Sequence, residues 1–458
     1  MSERDAFART RDAFGAGLRE HIGRLGWDRR TLAHHRTQRL RTLLAHAQQC
    51  SPFHAERLSG IDPSRFEIED LAGLPTMTKA EMMADLDRVF TDRRLTRAVV
   101  EEHVATTGVE PSWLVDDHIV LASGGSSGER GVFVYGCGEI AEYLLGIARR
   151  GLSSFVAPDG PLPEGLPLTM VAAASGLHAT RVFASVLSGG VLDVTSVPVT
   201  APLPAIVARV NEIQPLVLQS YPSVLSLLAR EQRDGRLRIT PIAITGSSEQ
   251  FPAEIRAEVR AVFGAPVTDS YGCSEGLLGW TEPDGVVFTF NSDQAIVELV
   301  DDDGRPVEPG VPADRALVTN LVNLTQPLIR YELDDRFVEQ VTEDGTGYLR
   351  ATVEGRRDDV FTYDEATVHP VALRRALLHD PAIVEYQVHQ TPRGIATSVV
   401  TAGDTDLAAT GRLLADALAD AGLAQPTVEV VRVEHLARHP ETGKVRRFVP
   451  LTNGRAAG

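Results

Sequence analysis

Short apolar runs rich in β-branched residues alternate with amphipathic segments between residues 118 and 264, and this alternation constrains the fold more than any other feature. The runs are HIVLAS, GVFVY, LTMVAAA, LVLQS and PIAIT. The segments between them have helical spacing, as in Ile255, Val259, Val262 and Phe263, whose helix should end at Gly264. Strands that alternate with helices in this way predict parallel sheets covered by helices. We therefore expect an α/β fold.

The pattern changes at both ends of the chain. Residues 1–50 favour helices, because Leu40, Leu43, Leu44 and Ala47 recur on one helical face. Beyond Val286, strand-like runs separated by turns favour an antiparallel sheet or small barrel, and the last hundred residues favour a second α+β domain. We expect a large N-terminal domain at 1–356, with a β-rich subdomain at about 286–353, and a smaller, mobile C-terminal domain at 357–458.

Composition excludes several classes of protein. With 458 residues, 43% hydrophobic and 23% charged, the chain suits a globular protein of two or three domains. The net charge of −17 opposes nonspecific binding to nucleic acid or an anionic membrane. Cys50, Cys137 and Cys273 lie far apart, which fits a reducing compartment rather than a disulfide framework. Since the N-terminus lacks the apolar stretch of a signal peptide, we expect a cytoplasmic protein.

The most distinctive local motif is the loop Ser123-Gly124-Gly125-Ser126-Ser127-Gly128, which follows a strand-like run. Its small residues permit phosphate oxygens to approach backbone N–H groups and hydroxyls. It is not a Walker A loop, because no Gly-Lys-Ser/Thr follows. Three other interpretations are a plain turn, a hydrolase nucleophile elbow at Gly124-x-Ser126-x-Gly128, and a nearby dinucleotide fingerprint at Gly136-x-Gly138-x-x-Ala141. The elbow is disfavoured because this loop leads into a strand, not a helix.

Four further motifs favour the phosphate-binding interpretation of this loop over a plain turn. Asp269–Glu275 ends a strand with an aromatic ring, a hydroxyl and a carboxylate, which suit a base, a phosphate and Mg²⁺. Arg330–Asp335 places acids at the end of another strand, where a carboxylate can accept ribose hydroxyls. Gly355–Asp359 lies at the expected domain junction, and Thr442–Arg446 carries a lysine on a glycine-bearing loop. Such a lysine is typical of a positive charge brought to a site by domain movement.

In this order and spacing the motifs resemble the adenylate-forming superfamily, which includes acyl-CoA synthetases, and specifically its phenylacetate-CoA ligase-like branch. The resemblance covers nearly the whole chain, including Ser51–His54 and Leu74–Lys79 near the N-terminus. In such enzymes an oxyanion, usually a carboxylate, attacks the α-phosphorus of ATP and releases pyrophosphate. A second nucleophile then displaces AMP.

The resemblance implies a role for each motif residue. Lys444 would bridge the attacking oxyanion and the α-phosphate, Ser274 would contact that phosphate, and Glu275 would hold Mg²⁺. Asp335 would bind the ribose, Asp334 would be solvated, and Asp358 would be the hinge. The remaining ATP-binding residues would be Ser123, Gly125, Ser126, Ser127 and Gly128 at the phosphates, Ser248, Glu249, Tyr271 and Gly272 near the adenine, and Arg356 at ribose or phosphate.

The substrate pocket is expected where several of these strands end. Its residues would be His178, Tyr221, Ser247, Cys273 and Leu277. Aromatic and apolar walls favour an aryl or arylalkenyl acid. His178 would be a general base, a hydrogen-bonding wall or a structural histidine. Tyr221 fits a core or wall residue better than a catalyst.

The expected function is ATP- and Mg²⁺-dependent activation of an aromatic acid, followed by transfer to CoA. Glu365 argues against CoA, because it stands where CoA-using relatives have a glycine that lines the pantetheine passage. The alternatives are adenylation with another acceptor, such as an amine in an amide-forming ligase or an aryl amine that attacks activated nitrite, and a silent nucleotide-binding protein. The partner would be a small aromatic acid or amine. The oligomeric state stays open, with a dimer as one option.

Overall fold

The computed structural model describes residues 3–123, 130–157, 159–341, 345–356, 359–380, 382–439 and 442–451. Two long helices begin the chain, α1 (Glu3–Arg24) and α2 (Arg29–Cys50), as predicted. Asp28 caps α2 by accepting a hydrogen bond from the backbone N–H of Thr31 at 2.7 Å. The predicted apolar face of α2 is fully buried; it comprises Leu40, Leu43, Leu44 and Ala47.

Four short helices follow: α3 (Pro52–Arg57), α4 (Lys79–Ala84), α5 (Leu86–Val89) and α6 (Arg97–Thr106). The start of α4 is fixed by a capping box, in which Thr78 and Glu81 satisfy each other's backbone N–H groups. This cap places Lys79 in the first turn of the helix.

The next two strands, β1 (His118–Ala122) and β2 (Val132–Gly136), form a separate two-stranded antiparallel sheet in the described part of the chain. The prediction that these runs join the parallel sheet was wrong. A parallel connection needs a dozen or more residues, and the link between these strands is too short for one. Ser123 closes the base of the link, since its Oγ accepts a hydrogen bond from Gly131 N at 3.0 Å.

The predicted parallel sheet begins with β3, and its strands lie side by side in the order β4-β3-β5-β6-β7. These strands are β3 (Leu166–Ala172), β4 (Leu192–Pro198), β5 (Val217–Ser220), β6 (Ala243–Ser247) and β7 (Val267–Gly272). The helices between the elements are α7 (Cys137–Leu152), α8 (Ala179–Leu187), α9 (Leu203–Ile213), α10 (Pro222–Arg233) and α11 (Ala253–Phe263). Two separate apolar clusters pack around the sheet. As predicted, α11 ends at Gly264, which has a φ of +69°.

Antiparallel strands continue the same sheet beyond β7. They are β8 (Leu278–Thr281), β9 (Phe288–Phe290), β13 (Asp335–Glu339) and β14 (Arg350–Arg356), in the order β7-β8-β9-β14-β13. A separate three-stranded sheet comprises β10 (Ala295–Val300), β11 (Arg315–Asn320) and β12 (Tyr331–Leu333). The predicted antiparallel pairing is therefore present, but residues 286–353 do not form one sheet of their own. The turn before β8 reverses the chain direction, so later strands add to the edge without crossover helices.

The C-terminal residues form a mixed α+β unit. Its elements are β15 (Phe361–Thr362), β16 (Thr367–Val368), α12 (Pro370–Leu377), β17 (Ile383–Thr391), β18 (Gly394–Thr401), α13 (Leu407–Asp420), β19 (Thr427–Arg432) and β20 (Phe448–Val449). The main sheet has the order β19-β18-β17-β20. Its apolar core draws buried residues only from positions 361 to 448. Within the described part of the chain, no helix is both long and apolar enough to cross a membrane.

Candidate active site

Several predicted site residues meet at one edge of the large sheet. Tyr221, Ser247 and Gly272 lie at or directly after the carboxyl ends of β5, β6 and β7, and His178 follows β3. Because these four strands are adjacent and parallel, their carboxyl ends share one edge. The topology therefore places these residues along one edge of the sheet, and their sharing a pocket stays a prediction.

Tyr271 is held in a fixed orientation at this edge. Its ring packs edge-on against Phe288, Phe290 and Phe337, with centroid distances of 6.1, 5.4 and 5.8 Å. Its hydroxyl donates to Oδ2 of Asp335 at 2.9 Å. The residues predicted to bind adenine and ribose are thus in direct contact.

The turn after β7 positions Ser274 and Glu275 through their backbone carbonyls. Tyr135 Oη donates to Ser274 O at 2.7 Å, and Asn320 Nδ2 donates to Glu275 O at 2.8 Å. Gly276 has a φ of +102°, and a β-carbon there would lie 2.0 Å from Asn320 Nδ2. Only glycine fits this position without displacing its neighbours.

The same turn buries two residues that were predicted to line the substrate pocket. Leu277 is fully buried in the main apolar core. Cys273 packs partly against that core, and its backbone O accepts a hydrogen bond from Tyr143 Oη at 3.2 Å. Ser247 is buried as well, and its Oγ accepts from Gln219 Nε2 at 3.4 Å. A pocket role for these residues stays a prediction.

Glu275 is a buried carboxylate in a strongly charged setting. The pKa of Glu275 lies above its usual range, mainly because the carboxylate is buried. The Asp335 charge adds to this shift, and the Lys79 charge partly offsets it. Among the described residues Glu275 forms no ion pair, and the structure shows there no cluster of three side chains able to hold a metal by themselves. A single carboxylate of this kind suits an Mg²⁺ ion whose other ligands are phosphate oxygens and water.

The side chain of Asp334 is 42% exposed, which agrees with a solvated residue, but it also forms ion pairs. Its Oδ2 lies 3.2 Å from Nη2 of Arg356 and 3.9 Å from Nζ of Lys79. Asp334 lies between β12 and β13, where both cations can reach it. Arg356, the predicted ribose or phosphate contact, is therefore held by a carboxylate next to Asp335.

Lys79 is a site residue that the sequence analysis missed. The chain contains only two lysines, Lys79 and Lys444, among 45 basic residues. Both lie at the candidate site, although 365 positions separate them. Every other basic residue among the 45 is an arginine. The rarity of lysine is a signal that could have singled out Lys79.

Lys444 reaches the site from the C-terminal unit. Its Nζ lies 5.8 Å from the centroid of the Tyr221 ring, a cation–π arrangement. The pKa of Lys444 lies below its usual range, mainly because the amine is buried. The nearby Glu249 carboxylate partly offsets this shift, and the Arg356 cation adds to it. The backbone N–H of Val445 donates to Oε1 of Glu249 at 2.8 Å. Glu249, a predicted adenine contact, is thus bound to the lysine loop.

His178 is neutral at physiological pH. Burial and the Lys444 charge lower its pKa to about 4. Its Nε2 is buried and has no hydrogen-bond partner among the described residues. Tyr221 Oη accepts a hydrogen bond from Ala173 N at 3.0 Å, so this hydroxyl serves the protein backbone. Tyr221 is buried in the second apolar cluster, and a role as a pocket wall stays a prediction.

The predicted phosphate loop is described only at its start. Ser123 lies at the base of the β1–β2 link, whereas Gly125, Ser126, Ser127 and Gly128 lie outside the described residues, as does the predicted hinge Asp358. Ser248 is exposed with a φ of +66°, an uncommon conformation for a residue with a side chain. It turns the chain sharply between Ser247 and Glu249.

No family model and no curated protein matches this chain. Solved structures do. The chain is similar to 2-hydroxyisobutyryl-CoA ligase in the postadenylation state with R3-HIB-AMP, at 18% identity over 91% of this chain and 89% of the other, with a TM-score of 0.69. Against the same ligase with 2-HIB-AMP and CoA in the thioesterification state, with 20% identity over the same shares, the TM-score is 0.52.

Two further solved structures are similar over a shorter stretch. One is the anthranilate CoA ligase AuaEII with anthranoyl-AMP, at 18% identity over 71% of this chain and 64% of the other, with a TM-score of 0.51. The second is the amide bond synthetase McbA from Marinactinospora thermotolerans, at 15% identity over 70% and 66%, also with a TM-score of 0.51. The chain therefore has the fold of the adenylate-forming ligases, as the sequence motifs predicted.

Proposed function

We propose that this protein is an ATP-dependent ligase that forms an acyl-adenylate and releases pyrophosphate. The observation that carries the proposal is the position of Lys444 above Tyr221, at the sheet edge that also presents Tyr271, Asp335 and Glu275. A cation, an aromatic ring and two carboxylates in one place match the parts that adenylation needs. The fold shared with acyl-CoA ligases supports it.

Each described residue then has one task. Tyr271 packs against the adenine, Asp335 accepts the ribose hydroxyls, and Lys444 neutralises charge between the attacking carboxylate and the α-phosphate. Glu275 would hold Mg²⁺, which, when bound, offsets phosphate charge. Asp334 orients Arg356 toward the ribose or a phosphate through the ion pair at 3.2 Å.

We propose an aromatic carboxylic acid as substrate and CoA as the acceptor. Tyr221 and the neutral His178 offer an aromatic and a weakly polar wall beside Lys444. Neutral imidazole suits this place, because a second cation beside Lys444 would be repelled. An anthranilate CoA ligase has the same fold, which supports an aromatic acid. Residues 357–458 would act as the lid that carries Lys444.

Glu365 favours a second candidate, in which the acceptor is not CoA but an amine, or in which nitrite is the oxyanion. Glu365 is exposed, and its Oε1 accepts a hydrogen bond from Ala424 N at 3.0 Å. This bond ties the side chain to the turn after α13, at the position where the resemblance to CoA-using relatives leads us to expect the pantetheine passage. An anion there repels the phosphates of CoA. The amide bond synthetase with the same fold supports an amine acceptor.

The test measures AMP and pyrophosphate released from ATP and Mg²⁺ with a panel of aryl acids and aminoaryl acids. CoA, nitrite or an amine is added separately to each acid. AMP that needs an acid and CoA supports the first candidate, and AMP that needs nitrite or an amine supports the second. ATP binding without AMP or pyrophosphate would overturn both and leave a silent nucleotide-binding protein.

A further inference from the structure

Glu249 joins two parts of the chain through a single carboxylate. Its Oε2 accepts a hydrogen bond from Ser223 N at 3.2 Å, in the first turn of α10. Its Oε1 accepts one from Val445 N at 2.8 Å, directly after Lys444. One bond therefore lies within the N-terminal part, and the other holds the lysine loop.

The bond to Ser223 caps the N-terminus of α10. This helix begins at Pro222, and its N-cap residue Tyr221 provides no side-chain cap. The first N–H groups of a helix lack partners within the helix, and the positive end of its dipole favours a carboxylate. Glu249 supplies that cap from the turn that follows β6. The αL turn at Ser248 directs it there.

A second contact joins the same two parts beside the first. Arg438 Nη1 donates to Ser223 Oγ at 3.0 Å and also to Gly443 O at 3.0 Å. Within the loop, His439 N donates to Lys444 O at 2.9 Å, and Gly443 N donates to His439 O at 2.8 Å. The lysine loop is thus internally tied and is fastened to the start of α10 at two points.

We propose that Glu249 is a positioning residue that clasps the Lys444 loop onto α10 for the adenylation step, rather than an adenine contact. The role in adenylation rests on the function proposed above, whereas the clasp itself is a property of the fold. Among the described residues, Glu249 is the anion whose charge acts on Lys444, and Arg356 is the cation that opposes it. Glu249 therefore holds the backbone of the lysine loop and favours the charged form of the Lys444 amine.

The decisive measurement is amide hydrogen exchange in the full chain without substrates, compared between wild type and Glu249→Ala. We expect exchange in residues 442–451 to rise about tenfold or more in the variant, because the N–H of Val445 loses its acceptor. The matched control is Glu258→Ala. Glu258, on α11, accepts hydrogen bonds from Ser226 and Arg233 of α10. Among the described residues it forms no hydrogen bond or ion pair with the C-terminal unit. Unchanged exchange in a folded Glu249→Ala protein would overturn the clasp, whatever the enzyme's activity.

Kinetics separate the clasp from an adenine contact. We expect Glu249→Gln to lower kcat for adenylation at least about tenfold, with KM for ATP changed less than about threefold. A positioning role also predicts that the alkaline limit of the pH profile moves to lower pH, since the anion that favours charged Lys444 is lost. A raised KM for ATP with kcat and pH profile unchanged would restore the adenine contact and overturn the positioning role. If wild type shows no adenylation, the exchange result alone decides the clasp.

Discussion

Gly443 packs directly onto Val199, the residue that follows β4. A β-carbon built at position 443 would lie 2.4 Å from Cγ1 of Val199, and Gly443 has a φ of +66°. Both the contact and the backbone conformation require glycine. Lys444 is the next residue after Gly443. The distance between Gly443 and Val199 therefore determines how closely the lysine approaches the large sheet.

Gly443→Ala is therefore expected to lower the adenylation rate by about tenfold or more, since the added methyl group displaces the loop that carries Lys444. The measurement is substrate-dependent pyrophosphate release. Gly403→Ala is the matched control: it also lies in the C-terminal unit, and a β-carbon there would meet nothing within 4 Å. Equal rates for both variants would show that the Gly443–Val199 contact does not position the lysine.

Lys444→Ala is expected to reduce adenylation by at least about a hundredfold, because no other described lysine reaches Tyr221 to neutralise the reacting phosphate. Its fold should be intact by circular dichroism, since the side chain is only partly buried. Lys444→Arg keeps the charge but not the shape, and should recover part of the rate. Near-normal adenylation by a well-folded alanine variant would remove Lys444 from the mechanism.

The scarcity of lysine provides a direct test of where ATP binds. An amine-directed reagent can modify only Lys79, Lys444 and the chain's α-amino group, and mass spectrometry distinguishes all three. We expect ATP with Mg²⁺ to slow modification of both lysines, because Lys79 pairs with Asp334 beside Asp335 and Lys444 lies over Tyr221. The α-amino group is the internal control. Protection of neither lysine would place the nucleotide elsewhere.

His54 predicts how stability depends on pH. It is fully buried, its Nε2 donates to Pro327 O at 2.9 Å, and its Nδ1 accepts from Arg57 at 3.3 Å. Burial and Arg57 lower its pKa to about 3, so the folded protein binds a proton less readily than the unfolded chain. Stability is therefore full above the unfolded pKa near 6.5 and is lost as pH falls toward 3.

Between pH 7 and 5 this histidine alone should cost about 2 kcal/mol of the free energy of unfolding. His54→Gln keeps a donor for Pro327 O but does not titrate. Urea unfolding at both pH values should show a smaller loss in the variant, even if its stability at pH 7 is lower. The same pH dependence in both proteins would mean that His54 is not the group responsible.

Much of the fold could be predicted because the spacing of apolar residues within an element shows which of its faces is buried. Leu40, Leu43, Leu44 and Ala47 are spaced for a single helical face, and all are buried. The pairing of β1 with β2 was missed because residue spacing shows that a strand exists, not which strand is its partner. The antiparallel pairing of β10, β11 and β12 was predicted, but the sequence did not show that β9 joins the large sheet instead of this one.

The candidate site shows a similar limit. Tyr271, Asp335 and Lys444 could be predicted because side chains of those types carry specific chemistry. The bond from Val445 N to Glu249 could not, since a backbone N–H has no signature in a sequence and its acceptor lies 196 positions away. The ion pair of Asp334 with Arg356 could not be predicted either, because it depends on the register of β13 and β14.

The self-contained apolar core at positions 361 to 448 bears on how the protein unfolds. Among the residues that the structure describes, none of its buried members belongs to the clusters around the large sheet, so loss of one core does not remove the apolar contacts of the other. Cooperative melting requires such shared contacts. Calorimetry should accordingly show two transitions, with the smaller enthalpy belonging to the C-terminal unit, and Leu414→Ala should lower the temperature of that transition alone.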